Sequence, residues 1–149
     1  MIRIGAGMTK RAGCVFCAVA GGDGAHFVHE DERVIAFLDH APLIKGHVLV
    51  IPRAHVETLD DLPEDLIEPL FTVVQRTCRA FVKALGSDGS YTGINTRVSQ
   101  SVPHMHVHVV PRKQGDGLFR AGLVWVRKRY GDGEAAQLAA RLREAIAAS

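Results

Sequence analysis

At 149 residues, 47% hydrophobic and 23% charged, the chain is sized for one globular domain with a full apolar core. A formal net charge of +2 is too small to argue for a nucleic-acid partner, and no apolar run approaches the roughly 18 residues of a membrane span. No secretory leader is visible at the N-terminus, so a cytoplasmic location is the expectation.

Residues 1–13 carry Gly5, Gly7 and Gly13 without periodicity. They read as a flexible tail ahead of a single domain, 14–149, with Met8 as an alternative start. Cys14 to Gly24 is a short ordered knot ending in a Gly-rich turn. Three cysteines, an odd number, do not make a disulfide scaffold. Cys78 is most simply a small apolar core residue. Cys14-x-x-Cys17 is half of a tetrahedral zinc site, a redox pair, or two core cysteines. If it is a zinc site, histidine must complete it, and His55 and His104 are the candidates.

Phe27–Glu30 and Arg33–Leu38 are spaced as a hairpin, although Asp31-Glu32 lacks the favoured Asn-Gly turn chemistry. Residues 39–46 form a loop. His47–Pro52 is apolar enough for a strand buried on both faces. Residues 60–65, with Pro63 and four acids, open a helix. Apolar positions then recur at helical spacing from Leu66 to Leu85, and Gly86 stops the run. Arg76, Arg79 and Lys83 on its later half read as a solvated face. Ser90–Thr96 is a fourth strand and His104–Arg112 a fifth, with Leu123–Val126 a candidate short one. The Ala-rich stretch 134–148 is a terminal helix. The order predicts an α+β fold: an antiparallel sheet of about five strands, a long central helix and a C-terminal helix.

Within the fifth strand, His104, His106 and His108 occupy alternate positions, with Met105, Val107 and Val109 between them. A strand sends i, i+2 and i+4 to one face, so three imidazoles line up opposite an apolar face. Three chemistries suit such a row. The histidines ligate a catalytic zinc; or one neutral imidazole attacks phosphorus and forms a phosphorus–nitrogen intermediate that water opens; or the strand only binds a ligand. Nucleophilic attack needs neighbours that fix the tautomer and donors for phosphate oxygens. Ser99-Gln100-Ser101 offers hydroxyl, amide and backbone donors at the mouth of the row, and Asn95 reaches the same mouth from the neighbouring strand. A plain polar loop is the rival reading of that stretch.

These residues resemble the histidine triad (HIT) superfamily. The likeness rests on His104-x-His106-x-His108-Val109-Val110, the pair Cys14-Val15-Phe16-Cys17, the hairpin Glu30–Asp39, and the block Pro42, Gly46–Arg53 and His55. It covers most of the chain and implies a HIT-like fold. It also implies a nucleotide hydrolase or transferase acting at the α-phosphate of a purine nucleotide, with a dinucleoside polyphosphate or a nucleoside phosphoramidate as substrate. By resemblance, His106 is the nucleophile that becomes nucleotidylated. His108 supports the phosphate, Ser101 donates to the phosphate or leaving group, and His47 orients from behind. Asp39 and His40 match positions at the ribose or base, and Asn95 a sugar or phosphate contact.

In zinc-bearing relatives, Cys14, Cys17, His55 and His104 match a structural zinc site that braces the strand, and no catalytic metal is required. The resemblance further implies a homodimer paired through the long helix and the sheet. This chain departs from the pattern at Ser99, where a glycine usually precedes the glutamine, and in a shortened Asn95–His104 segment. Pro111–Asp116 looks like the dinucleoside-polyphosphate branch. Gly122–Tyr130, with Trp125, matches neither branch, and reaching across a dimer is one role for it. Two rival functions fit the same residues: a non-catalytic nucleotide-binding scaffold, and a zinc hydrolase liganded by the triad itself.

Overall fold

The computed structural model describes residues 9–120 and 126–149. Five strands, β1 (Phe27–Glu30), β2 (Val34–Leu38), β3 (Val48–Pro52), β4 (Gly89–Gly93) and β5 (Val107–Arg112), form one sheet in the order β1-β2-β3-β5-β4. Every neighbouring pair is antiparallel. Three helices accompany it: α1 (Val15–Ala20), α2 (Ile67–Leu85) and α3 (Glu134–Ala147).

All residues of β2 and β3 are buried, because each face of the sheet is covered. Val34, Ala36, Leu38, Val48 and Val50 join a core with α2 and α3. Ile35, Phe37, Leu49 and Ile51 join a second core with α1. The period-two alternation of a strand sorts one continuous apolar run into two cores. The β1–β2 turn works without Asn-Gly because Asp31 Oδ1 accepts the N–H groups of Arg33 and Val34, each at 2.8 Å. Such an Asx turn does the work of a backbone turn.

The helical stretch opens later than its acidic leader predicts. Leu59–Asp61 and Glu64–Leu66 are separate 3₁₀ turns, and the α-helix begins at Ile67. Pro63 lies between the two turns. Pro69 takes the third α-helical position, where a missing N–H leaves no intrahelical bond unmade. Gly86, at φ 63°, ends α2 in the left-handed conformation. Cys78 is half-buried against the core on the α2 side.

Two strands are shorter than expected. β4 stops at Gly93, before Ile94–Thr96, and β5 starts at Val107 rather than His104. The Met105 N–H donates to the carbonyl of Val56 at 2.7 Å instead of to a strand partner. The in–out alternation persists through the irregular start: Met105, Val107 and Val109 all lie in the core with α2 and α3. Before α1, the Thr9 carbonyl accepts from His55 N–H at 2.6 Å and the Arg11 carbonyl from Cys14 N–H at 3.1 Å. Of the candidate strand Leu123–Val126, residues 123–125 lie outside the described residues, and Val126 is exposed and outside any strand.

Candidate active site and metal centre

The histidine row separates two sites. At its first end, His104 turns Nδ1 towards two sulfurs, 3.5 Å from Cys14 Sγ and 3.6 Å from Cys17 Sγ. His55 Nδ1 lies 3.2 Å from Cys17 Sγ. The four ligand atoms lie within 4.8 Å of one another. Zinc bonds of about 2.3 Å to sulfur and 2.0–2.1 Å to nitrogen, at tetrahedral angles, put sulfur and nitrogen about 3.5 Å apart. The donor set and spacing therefore fit a closed structural zinc site.

The surroundings fit as well. The main chain supplies N–H groups to both sulfurs, from Arg11 to Cys17 Sγ and from Cys17 to Cys14 Sγ, each at 3.4 Å. Such donors stabilise thiolate charge. His104 Nε2 lies 2.8 Å from the Pro52 carbonyl. A carbonyl only accepts, so the proton sits on Nε2 and the Nδ1 lone pair faces the sulfurs. Burial holds His104 down at about 4 against the raising effect of that bond, with His55 and His106 lowering it further. His55 lacks a comparable brace, and its Nε2 is buried without a hydrogen-bond partner.

At the other end the row faces an open cleft of about 1060 Å³, lined by His106, His108, Asp39, His40 and Ser101, with Phe16 of α1 on its apolar wall. His106 Nδ1 lies 2.7 Å from the His104 carbonyl. By the same logic Nδ1 carries the proton and Nε2 keeps its lone pair. Burial lowers His106 below its ordinary range, the bond to His104 opposing it, so the ring is neutral at pH 7. The Phe16 ring stands edge-on to His106, with centroids 5.0 Å apart.

The tautomer of His108 follows from a chain of contacts behind the cleft. The Leu43 N–H donates to His47 Nδ1 at 3.2 Å. His47 therefore carries its proton on Nε2, which lies 3.0 Å from His108 Nδ1 and donates to it. The proton of neutral His108 is left on its Nε2. His106 and His108 thus hold opposite forms at Nε2, a lone pair on one and an N–H on the other. His47, fully buried, is held down at about 4 chiefly by burial, and His108 at about 3 by burial and then by His47 and His106. Asp39, His47 and His108 also lie close enough to share an ion. The 3.0 Å contact between the two rings makes them a hydrogen-bonded chain instead.

A sequence model described as the HIT domain matches residues 23–115. The chain belongs to the histidine triad family. Among relatives of this HIT protein, the adenylylsulfatase HINT3 of Arabidopsis thaliana is 33% identical over 138 residues, 91% of this chain and 70% of that one. An asymmetrical bis(5′-nucleosyl)-tetraphosphatase of Schizosaccharomyces pombe is 37% identical over 95 residues, 62% of this chain and 52% of that one. A zinc-bound histidine triad family protein from Mycobacterium smegmatis superposes with a TM-score of 0.78 at 37% identity, covering 91% of this chain and 94% of that one. The five-stranded sheet with its helices is thus the HIT fold.

Of the residues singled out in the sequence, Asp39, His40, Ser101, His106 and His108 meet at the cleft, His40 with a fully exposed side chain. His47 stands behind it, and Cys14, Cys17, His55 and His104 form the separate cluster. Three residues lie elsewhere. Gln100 braces its own loop, donating to the carbonyls of Glu57 at 2.7 Å and Val102 at 3.1 Å and accepting from Arg97 N–H at 2.8 Å. Ser99 is exposed at φ 60°, a left-handed backbone that accounts for the glycine usual there. Asn95 lies beyond the end of β4 and outside the cleft lining.

No candidate ligand group among the described residues joins His104, His106 and His108. That arrangement disfavours a zinc hydrolase liganded by the triad. Sequence reading passed over Arg127. Its Nη1 lies 2.7 Å from both Asp39 Oδ2 and the Ala41 carbonyl. Lys128 N–H donates to the Pro42 carbonyl at 2.7 Å, and the Gly46 N–H donates to the Tyr130 hydroxyl at 3.0 Å. Residues 127–130 thus strap the loop 39–46 of their own chain. The available signal was the basic triplet Arg127-Lys128-Arg129 in an otherwise unmatched tail.

Proposed function

We propose that this HIT protein is a nucleotidyl hydrolase or transferase that acts at the α-phosphate of a purine nucleotide through a covalent nucleotidyl-His106 intermediate. The observation that carries the reading is the pair of contacts at His106 Nδ1 and His108 Nδ1, which assigns opposite proton placements to the two rings. A nucleophile for phosphorus needs a lone pair, and the neighbouring group that meets the phosphoryl oxygens needs an N–H. The two adjacent rings meet those needs at the same ring atom.

His106 Nε2 attacks the α-phosphorus. The bond from phosphorus to the leaving group breaks, and that group departs with the bonding pair. A polyphosphate or sulfate leaves as an anion; an amine needs a proton, for which the Ser101 hydroxyl is the donor at the cleft. His108 Nε2–H donates to a phosphoryl oxygen as charge develops there. Water then attacks phosphorus and gives up one proton, to Ser101 where that side chain has protonated an amine and otherwise to solvent; the phosphorus–nitrogen bond breaks with its electron pair on Nε2, and His106 returns neutral with the nucleoside monophosphate as product. The His104 carbonyl holds the Nδ1 proton throughout, so positive charge on the nucleotidylated ring is shared with a fixed acceptor. Asp39 and His40 serve the ribose, and the wall with Phe16 serves the base. The relatives that cleave an adenylyl sulfate and a dinucleoside tetraphosphate support this substrate class.

Cys14, Cys17, His55 and His104 would hold a structural zinc, whose contribution when bound is to fix α1 and the start of the row. We also read the protein as a cytoplasmic homodimer. Ile67, Phe71 and Val82 are exposed apolar positions on α2, and β4 is a terminal strand of the sheet. The deciding experiment is acid-quenched trapping with a dinucleoside polyphosphate and with an adenosine phosphoramidate. Mass spectrometry should find one adenylyl group, on the peptide containing His106. Turnover without any labelled peptide would dismiss the covalent route.

A further inference from the structure

We propose that Arg127 is a positioning residue that insulates the His47–His108 pair from the charge of Asp39 and so sets which nitrogens of those rings carry protons. Two groups compete for one oxygen, Asp39 Oδ2. Arg127 Nη1 reaches it at 2.7 Å, whereas His47 Nδ1 stands 3.8 Å away. Asp39 Oδ1 is occupied separately by the Ala41 N–H at 3.0 Å. Asp39 is 6% exposed and His47 is fully buried, so little water screens the pair. A buried carboxylate beside an imidazole draws a proton onto the facing nitrogen unless another cation neutralises it.

The facing nitrogen is Nδ1 of His47, and Nδ1 must stay bare for the present pattern to hold. It accepts the Leu43 N–H at 3.2 Å. A proton on Nδ1 would expel that donor. If Nε2 then lost its proton, the 3.0 Å contact with His108 could persist only with the proton on His108 Nδ1. The His108 Nε2–H, the donor proposed for the phosphoryl group, would be gone. The groups facing His47 are Asp39, Arg127, His106 and His108. Burial is the main force holding its proton affinity down; Asp39 raises it, and Arg127 and His106 lower it. The strap that delivers Arg127 is separately anchored by Lys128 and Tyr130 to the loop bearing Asp39.

The catalytic consequence rests on the reading of His108 given above, but the proton pattern does not, and the two are measured apart. Nitrogen-15 imidazole shifts are recorded on the nucleotide-free protein from pH 5 to 8. The wild type should show His47 with Nδ1 bare and Nε2 protonated throughout. Arg127→Gln keeps a donor to Asp39 and removes the charge. Its His47 should carry a proton on Nδ1 at neutral pH, with proton affinity raised ~10-fold or more. Arg127→Lys should restore the wild-type pattern, as should Arg127→Gln combined with Asp39→Asn. An unchanged His47 in Arg127→Gln overturns the proposal, as does a perturbed His47 in Arg127→Lys or in the double variant. Should Arg127→Gln unfold, Arg127→Met, which removes the same charge, is read by the same criterion. Adenosine phosphoramidate turnover should fall by ~10-fold or more in Arg127→Gln, in kcat more than KM, and recover in Arg127→Lys. A shifted pattern with unchanged turnover would spare the insulation and count against His108 as the phosphate donor.

Discussion

The two ends of the histidine row use the same side chain for opposite purposes. His104 gives its Nε2 proton to the Pro52 carbonyl and presents Nδ1 to two sulfurs. His106, two residues on, gives its Nδ1 proton to the His104 carbonyl and keeps Nε2 for the cleft. The rings share burial and depressed proton affinity. What separates them is which nitrogen meets a backbone oxygen, and that is fixed by the main chain around them. A triad of identical residues is therefore not three copies of one function.

The sharpest way to break that contrast is to remove each end in turn. His106→Asn should lower turnover by roughly four orders of magnitude while leaving AMP affinity within a few-fold. Stopped-flow assay and titration calorimetry read the two quantities, and a loss of only a few-fold would withdraw the nucleophile. Cys14→Ser should do the reverse. With zinc present during purification, it should cost at least about 2 kcal/mol of stability by urea unfolding, and kcat of the folded fraction should stay within a few-fold. Metal analysis showing no zinc in the wild type would remove this arm.

Acid sharpens the comparison at the relay. His47 and His108 are held at about 4 and about 3, below the ordinary imidazole value of 6.5. The unfolded chain therefore binds protons that the folded chain refuses, and stability rises with pH. The stabilisation is complete above about pH 6.5 and is lost as pH falls from there towards 4 for His47 and 3 for His108. A loss of roughly 3 kcal/mol for each ring, on the order of 6 for the two, follows between pH 7 and pH 4. Urea midpoints at these two values check it, and a flat profile would contradict it. The smallest effect expected is at Ser99. Removing Cβ at φ 60° relieves left-handed strain at the cost of unfolded-state entropy, so Ser99→Gly should gain about 0.5–1 kcal/mol in thermal unfolding.

Much of this was legible in the sequence because it is local. Alternation placed Met105, Val107 and Val109 in the core and the histidines opposite them, even though the ladder itself begins only at Val107. The Cys14–Cys17 spacing is similarly short-range, whereas His55, 38 positions from Cys17, comes from the family pattern. What was not legible depends on distant partners. The Val56 carbonyl that replaces a strand bond at Met105 gives no sign in the residues around Met105. Arg127 meets Asp39 across 88 positions, and nothing in Arg-Lys-Arg says which carboxylate it will find. A strand running to Thr96 carries Asn95 to the mouth of the cleft; β4 ends two residues before Asn95.

Pairing of β3 with β5 joins Val48–Val50 to Val107–Val109, and it brings His47 from one half of the chain against His108 from the other. During synthesis, the ribosome releases the cysteines, the loop with Asp39 and the whole of α2 before His106 emerges. The arrangement that fixes the His106 and His108 tautomers is therefore completed only once β5 has emerged, and a truncated product that ends before β5 lacks His108 and with it the pair.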